Sequence, residues 1–278
     1  MIDLYRIVKK RKLIPHTNLF KLSAKEIAAK TKPGQFVILR VDENGERIPL
    51  TIVNADVEKE TITVVCHEVG KSTKQLGNLK EGDYILDLLG PLGKPAEIKK
   101  FGTVLCIGGG VMAAPLHFQV KAFHETGNKV IGVIGARTEN HLIFVDEMRQ
   151  VCNELHVATD DGTKGYKGLG FLRDLLEKRK IHRVIVMGPV VTMKMVSEFT
   201  RPYKTPTIVN LIPIMVDGMG MCGACRVNVG GRTKFACVDG PDFDGHQVDF
   251  EELMARLKMF TPQEKLALVF HEAGGKNA

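Results

Sequence analysis

An apolar run that opens directly into three glycines, Val104-Leu105-Cys106-Ile107-Gly108-Gly109-Gly110, constrains this chain more than any other feature. A short run without polar alternation reads as a strand covered on both faces. Glycine lets the backbone turn sharply at its end and leaves room for a close neighbour. A helix is predicted over Ala113–Thr126, and the unit then repeats. Strands are expected at Lys129–Gly135, Glu154–Thr159 and Arg183–Gly188, with helices at Ile143–Gln150 and Phe171–Lys178. Parallel neighbours need crossover helices, so this alternation predicts a doubly wound α/β domain over residues 99–205.

The chain on either side follows other rules. Over residues 1–98, short strands are separated by turns: Gln35–Val41 before Asp42-Glu43-Asn44-Gly45, then Leu50–Val53, Thr61–Cys66 and Tyr84–Leu89. Met1–Val8 also alternates like a strand, and a single helical piece is expected at Ser23–Lys30. Close-spaced strands of this kind predict an antiparallel β barrel. Residues 206–278 carry three clustered cysteines and a helical end, Glu251–Lys258 and Pro262–His271. The net charge of +7 is spread along the chain, and with no Trp and four Tyr nucleic-acid binding is not expected. No apolar run approaches the ~20 residues of a membrane helix. The start lacks the pattern of a signal peptide, so a cytoplasmic protein is expected.

Cys66 and Cys106 lie in apolar runs and read, with Cys152, as free thiols. Asp217-Gly218-Met219-Gly220-Met221-Cys222-Gly223-Ala224-Cys225, followed by Cys237, reads as a metal site. The Cys222-x-x-Cys225 spacing lets two sulfurs converge, and the glycines allow a tightly wrapped loop. Plant-type [2Fe–2S] sites use C-x₄-C-x₂-C…C, and Asp217 stands where the first cysteine would be. Zinc held by Cys222, Cys225, Cys237 and His246 is the alternative.

This segment resembles the iron–sulfur module of the dihydroorotate dehydrogenase electron-transfer subunit. It is still more similar to the small, alpha subunit of NADH-dependent ferredoxin:NADP oxidoreductase, a flavin-bifurcating complex. Both belong to the ferredoxin-reductase superfamily, and the resemblance extends over essentially the whole chain. It implies an FAD barrel, a nucleotide domain and a [2Fe–2S] cluster held by Asp217, Cys222, Cys225 and Cys237. A cysteine at the first position is expected in the dihydroorotate branch, so Asp217 favours the bifurcating family.

The same resemblance assigns the other sites. Arg47-Ile48-Pro49-Leu50-Thr51 is similar to the superfamily's flavin motif, with Arg47 on a flavin phosphate and Pro49, Leu50 and Thr51 along the ring system. Gly70, Ser72 and Thr73, just before a predicted helix, would give amides and hydroxyls to the pyrophosphate. Gly108, Gly109, Gly110, Ala113 and Pro115 resemble the first nucleotide loop, and Gly188, Pro189 and Met193 the second. Asp160 and Asp161 would repel a 2′-phosphate and suit ribose hydroxyls, which favours NADH over NADPH. No catalytic acid or base is required, because the cofactor carries the chemistry. The implied partner is a larger iron–sulfur flavoprotein subunit in a heterodimer, and through it ferredoxin and NADP(H). The rival readings are the electron-transfer subunit of a dihydroorotate dehydrogenase, a stand-alone flavin reductase and a zinc-stapled interaction protein.

Overall fold

The computed structural model describes residues 5–273 of the 278-residue chain. Met1–Leu4 of the first predicted strand, and residues 274–278, lie outside the described residues.

The first sheet is built from β1 (Tyr5–Ile14), β2 (Thr17–Ser23), β3 (Phe36–Arg40), β4 (Ile48–Asp56), β5 (Thr61–His67), β6 (Tyr84–Ile85) and β7 (Asp87–Leu92), with helices α1 (Lys25–Lys30) and α2 (Lys71–Asn78) between them. Its order is β6-β1-β2-β5-β4-β3-β7. The two edges, β6 and β7, are separated in the chain by Leu86 alone, whose amide donates to the Val41 carbonyl at 3.2 Å. One continuous piece of chain thus forms both edges, and the antiparallel sheet curls into a nearly closed barrel. Its interior takes Ile7, Phe20, Leu22, Leu39 and Ile52, plugged by Ile27 and Ala28 of α1 and Leu76 of α2.

Strand β5 explains how the barrel meets the rest. Ile62, Val64 and Cys66 point into the barrel, whereas Val65 joins the apolar cluster around Cys106, Ala114 and Leu116. Both faces are covered, so Thr61 and Thr63 are buried along with the apolar residues although the strand is antiparallel.

The second sheet comprises β8 (Thr103–Gly109), β9 (Lys129–Ala136), β10 (Glu154–Thr159), β11 (Tyr166–Lys167), β12 (Arg183–Met187), β13 (Thr207–Asn210) and, far downstream, β16 (Asp242–Asp244). Its order is β11-β10-β9-β8-β12-β13-β16, parallel throughout except for β16 against β13. Helices α3 (Ala113–Glu125), α4 (Val145–Val151), α5 (Leu172–Lys178) and α6 (Val190–Thr200) supply the crossovers. Within β8, Leu105 and Ile107 pack with Val186, Met193 and Val196, while Val104 and Cys106 pack with Leu116 and Val120 of α3. The strand order reverses between β8 and β12, so the crevice at their carboxyl ends is where such sheets hold ligands.

After β13 the chain leaves the sheet for a long loop. It then forms the hairpin β14 (Arg226–Val229) and β15 (Arg232–Phe235) and the short helix α7 (Ala236–Asp239), and returns as β16. Helices α8 (Phe250–Leu257) and α9 (Thr261–Glu272) follow. This last part shares its core with the parallel sheet, since Cys225, Val227, Ala236 and Cys237 lie in the same apolar cluster as Ile107 and Val186. No helix among the described residues is long and apolar enough to cross a membrane.

Candidate functional site

Two glycine turns meet at the strand reversal. A side chain on Gly109 would come 3.0 Å from Pro189 Cδ, and one on Gly188 would come 3.3 Å from the Gly109 Cα, so the loops after β8 and β12 touch only because both residues lack one. Beyond them opens a cavity of about 700 Å³, large enough for a dinucleotide's reacting half. Gly108, Gly109, Gly110 and Pro189 line it, as does Asp160. Other predicted residues face elsewhere. Ala113 is fully buried beneath Gly108, where it packs strand against helix. Met193 sits in the core with Ile107, and the cavity-facing residues of α6 are Val191, Thr192 and Met195, set by the helical phase. Asp161 turns into its own loop and accepts from the Thr163 amide (3.0 Å) and hydroxyl (2.7 Å), which hold its carboxyl below the usual range. Asp160 therefore stands in the cavity without its neighbour. Arg137, at the end of β9, lines the same cavity and was missed by the sequence reading, although carboxyl ends of parallel strands are where ligand-facing residues belong.

A second cavity, of about 250 Å³, lies between barrel and sheet domain. Pro49, Leu50, Thr51 and Thr73 line it, and Pro115 contributes here rather than to the larger cavity. Two residues, His67 and Val111, line both cavities, so the two adjoin. Arg47 does not join this group. It precedes β4 and opens on a third cavity, of about 500 Å³, with Met219 and with Arg40, whose guanidinium is paired with Asp87 at 2.6 Å.

The Gly70–Thr73 turn is built differently from expectation. The Thr73 hydroxyl accepts from the Val69 and Gly70 amides (both 2.9 Å) and donates to the Gly70 carbonyl (3.0 Å), closing the first turn of α2. The Ser72 hydroxyl donates to Glu46 at 2.8 Å. Both hydroxyls are committed within the protein. The amides of Ser72 and Thr73 precede the first helical hydrogen bond, from Lys74 to Gly70, and remain available to a phosphate.

The cysteine loop hangs against the barrel. Gly218, at φ +74°, would place a side chain 2.7 Å from Leu92 and 2.8 Å from Ile38, so the loop lies flush on β7 and β3. Asp217 organises it: one carboxylate oxygen accepts from the Met219 amide (2.9 Å), the other from those of Met221 (3.0 Å) and Cys222 (2.7 Å). These amides, Met219's foremost, hold its carboxyl below the usual range. Cys225 and Cys237 are buried with their sulfurs 3.2 Å apart, and burial together with Cys225 pushes the Cys237 thiol up to about 12. Cys222 is exposed. Among the described residues no three His, Cys, Asp or Glu side chains converge closely enough to hold a metal ion. The donor set nevertheless fits an iron–sulfur group. Two buried sulfurs approach the ~3.7 Å spacing of thiolates on one tetrahedral metal. The other two donors sit on the same glycine-rich loop, tied to each other by the Cys222 amide. His246, the fourth donor of the zinc alternative, is engaged instead with Thr200 of α6, Nε2 to Oγ1 2.9 Å.

Comparison with known proteins matches this arrangement. Residues 213–249 match the family model for the iron–sulfur cluster binding domain of dihydroorotate dehydrogenase B. A Thermotoga maritima protein named as a dihydroorotate dehydrogenase B (NAD(+)) electron transfer subunit homolog is 46% identical over 95% of this chain and 94% of its own length. A Methanocaldococcus jannaschii protein, named as the probable electron transfer subunit, is 34% identical over 84% of this chain and 88% of its own length. A solved structure from work on flavin-based electron bifurcation, that of an NADH-dependent reduced ferredoxin-NADP oxidoreductase, superposes with a TM-score of 0.91, at 44% identity and 98% coverage of both chains. Phthalate dioxygenase reductase shares the fold, with a TM-score of 0.60 at 18% identity over 81% of this chain and 86% of its own. With its barrel, switch-point crevice and cysteine loop, the chain belongs to the oxidoreductase family of the dihydroorotate dehydrogenase B electron transfer subunits and NADH-dependent ferredoxin-NADP oxidoreductases, on the ferredoxin-reductase fold.

Proposed function

We propose that this chain is the electron-transferring flavoprotein subunit of a flavin-bifurcating NADH-dependent ferredoxin:NADP oxidoreductase. FAD, when bound, converts hydride exchange with NAD(H) into single-electron exchange with a [2Fe–2S] cluster. The observation that carries this reading is the course of one segment: the loop after β13 contributes Ile212 to the wall of the flavin-side cavity, then supplies Asp217, Cys222 and Cys225. The same few residues thus join the cavity to the metal donors.

The roles of the chain's own residues follow from position. Gly108–Gly110 and Pro189 admit the nucleotide's pyrophosphate close to backbone amides, and Asp160 disfavours a 2′-phosphate. Pro49, Leu50 and Thr51 frame the flavin ring against Val111 and Pro115. Asp217, Cys222, Cys225 and Cys237 hold the cluster. The exposed side chains of Val216, Met219, Met221 and Val238 surround it, and Met221 is 83% exposed. Such an apolar, methionine-rich rim suits an adaptable interface with the larger flavoprotein subunit, through which electrons would reach ferredoxin and NADP.

A second reading, the electron-transfer subunit of an NAD-dependent dihydroorotate dehydrogenase, is favoured by the match over residues 213–249. Aspartate at the first ligand position argues against it. The test is purification of the chain with its native partner. A larger iron–sulfur flavoprotein and NADPH-linked ferredoxin reduction are expected, whereas an orotate-forming partner would overturn the main reading. The isolated chain should show flavin and iron–sulfur absorption and reduce artificial dyes with NADH; a colourless protein would remove both readings.

A further inference from the structure

We propose that His67 is the group that takes up the proton released at the flavin each time NADH is oxidised, which lets a two-electron entry feed a one-electron exit. The proposal rests on the function set out above. Oxidising NADH to NAD⁺ removes a hydride, that is, two electrons and one proton. A [2Fe–2S] cluster accepts electrons one at a time and no proton. For every NADH, two electrons leave by the cysteine loop and one proton must leave by another route.

Among the described residues, the flavin-side cavity offers two titratable side chains, Cys66 and His67. Cys66 is buried in the barrel, and burial pushes its thiol up to about 12. A thiol that stays protonated at neutral pH accepts nothing. His67 lines both this cavity and the nucleotide cavity, where the hydride crosses.

The hydrogen bonds of His67 assign its tautomer. Nδ1 lies 3.0 Å from the His16 carbonyl oxygen, which can only accept, and 2.9 Å from the Thr17 hydroxyl. The carbonyl contact favours the tautomer with its hydrogen on Nδ1, which leaves a lone pair on Nε2. Thr17 is buried, so the ring is held from the barrel side, and among the described residues Nε2 makes no hydrogen bond. The charged and titratable neighbours are few. Glu68 follows on the same segment and His16 comes from the β1–β2 turn, with 3.6 Å between carboxylate and ring. Arg137, His141 and Asp160 line the remainder of the larger cavity. The His16 side chain is 71% exposed, so the turn that holds Nδ1 also borders water. The step balances when the imidazole gains the proton at Nε2 and the imidazolium then gives it to solvent.

The test uses the chain loaded with FAD and cluster. Stopped-flow mixing with NADH and a one-electron dye separates flavin reduction from electron exit. His67→Gln is expected to slow exit at least tenfold more than entry and to flatten the pH dependence of exit, in keeping with the ~10²–10⁴-fold contribution of a positioned base. His67→Ala should behave likewise and recover with added imidazole. A readout independent of turnover is the flavin midpoint potential plotted against pH. It should show a break in the unmodified protein that His67→Gln removes. If the variants shed FAD, the solvent deuterium isotope effect on exit in the unmodified protein decides, and an effect of unity overturns the proposal. An unaltered exit phase and pH profile in His67→Gln also overturn it, while the functional reading stands. An unmodified chain that binds no FAD overturns that reading, and this one with it.

Discussion

The nucleotide crevice and the cysteine loop, both proposed as ligand sites, are built in opposite ways. At the crevice, Gly109 and Gly188 already touch across the strand reversal and the cavity is open. At the loop, Cys225 and Cys237 have met, whereas Cys222 faces outward and Asp217 is bound to amides of its own loop. The difference lies in what each site is made of. Backbone shape is fixed by the sheet that carries it, whereas side-chain donors bring charges together and depend on a metal to offset that cost. The crevice should thus be insensitive to the loop, and the loop dependent on its metal.

The largest expected effect is at the sulfur pair. Cys225→Ser should abolish cluster assembly, read as loss of iron and of iron–sulfur absorbance, while FAD and NADH binding persist. Loss of NADH binding as well would break the comparison. Asp217→Ala should destabilise the cluster and loosen the three-amide wrap, whereas Asp217→Cys should retain a cluster with an altered spectrum and potential. Iron content and spectrum unchanged by Asp217→Ala would remove it from the ligand set and leave it an organiser of the loop.

Next is Gly109→Val, which drives a branched side chain toward Pro189 Cδ, where even a Cβ stands at 3.0 Å. NADH affinity should fall by one to two decades, about 1.5–3 kcal/mol, with cluster content unchanged. Titration of flavin bleaching measures it.

Asp160→Ala should narrow the preference for NADH over NADPH by about tenfold, or ~1.4 kcal/mol. Asp161→Ala should leave the preference nearly unchanged, because its carboxylate is spent on Thr163. Equal rates with both nucleotides in the unmodified protein would dispose of the carboxylate argument.

The smallest effect concerns the anchor from which the loop departs. Asp242 is half-buried with its carboxyl turned away from water; it accepts from the Asn210 side-chain amide at 2.6 Å, and desolvation raises the carboxyl to about 6 from the ordinary 3.8. With the folded value raised, the neutral acid is carried without penalty below pH 3.8, and stability is lost as pH rises through about 6. Asp242→Asn should therefore raise the melting temperature modestly at pH 8 and do little at pH 4. A gain equal at both pH values would show that packing, not charge, is responsible.

What the sequence disclosed follows the same division. The parallel strands were legible because their two covered faces leave unbroken apolar runs, as in β8 and β12. Strand β2 and the far half of β1 were not, since Lys9, Lys10, Arg11 and Lys12 decorate an edge that pairs with bulges. The cysteine spacing pointed to a metal, but no spacing reveals that the Asp217 carboxylate would satisfy three amides. Met193 was misplaced because a helix seen in sequence has no known phase until its packing is known. Arg47 was grouped with Thr51 by motif, and the start of β4 at Ile48 separates them.

The excursion that bears the cysteines begins and ends at one place. Asn210 and Asp242 face each other as the last residue of β13 and the first of β16, and the Leu211 amide donates to the Pro241 carbonyl at 2.9 Å. Closing a loop costs little more when the loop is longer, so chain can be added to or removed from this excursion without disturbing its base. A change of length within the excursion would alter how far the cysteine loop reaches while leaving its two ends paired at one place.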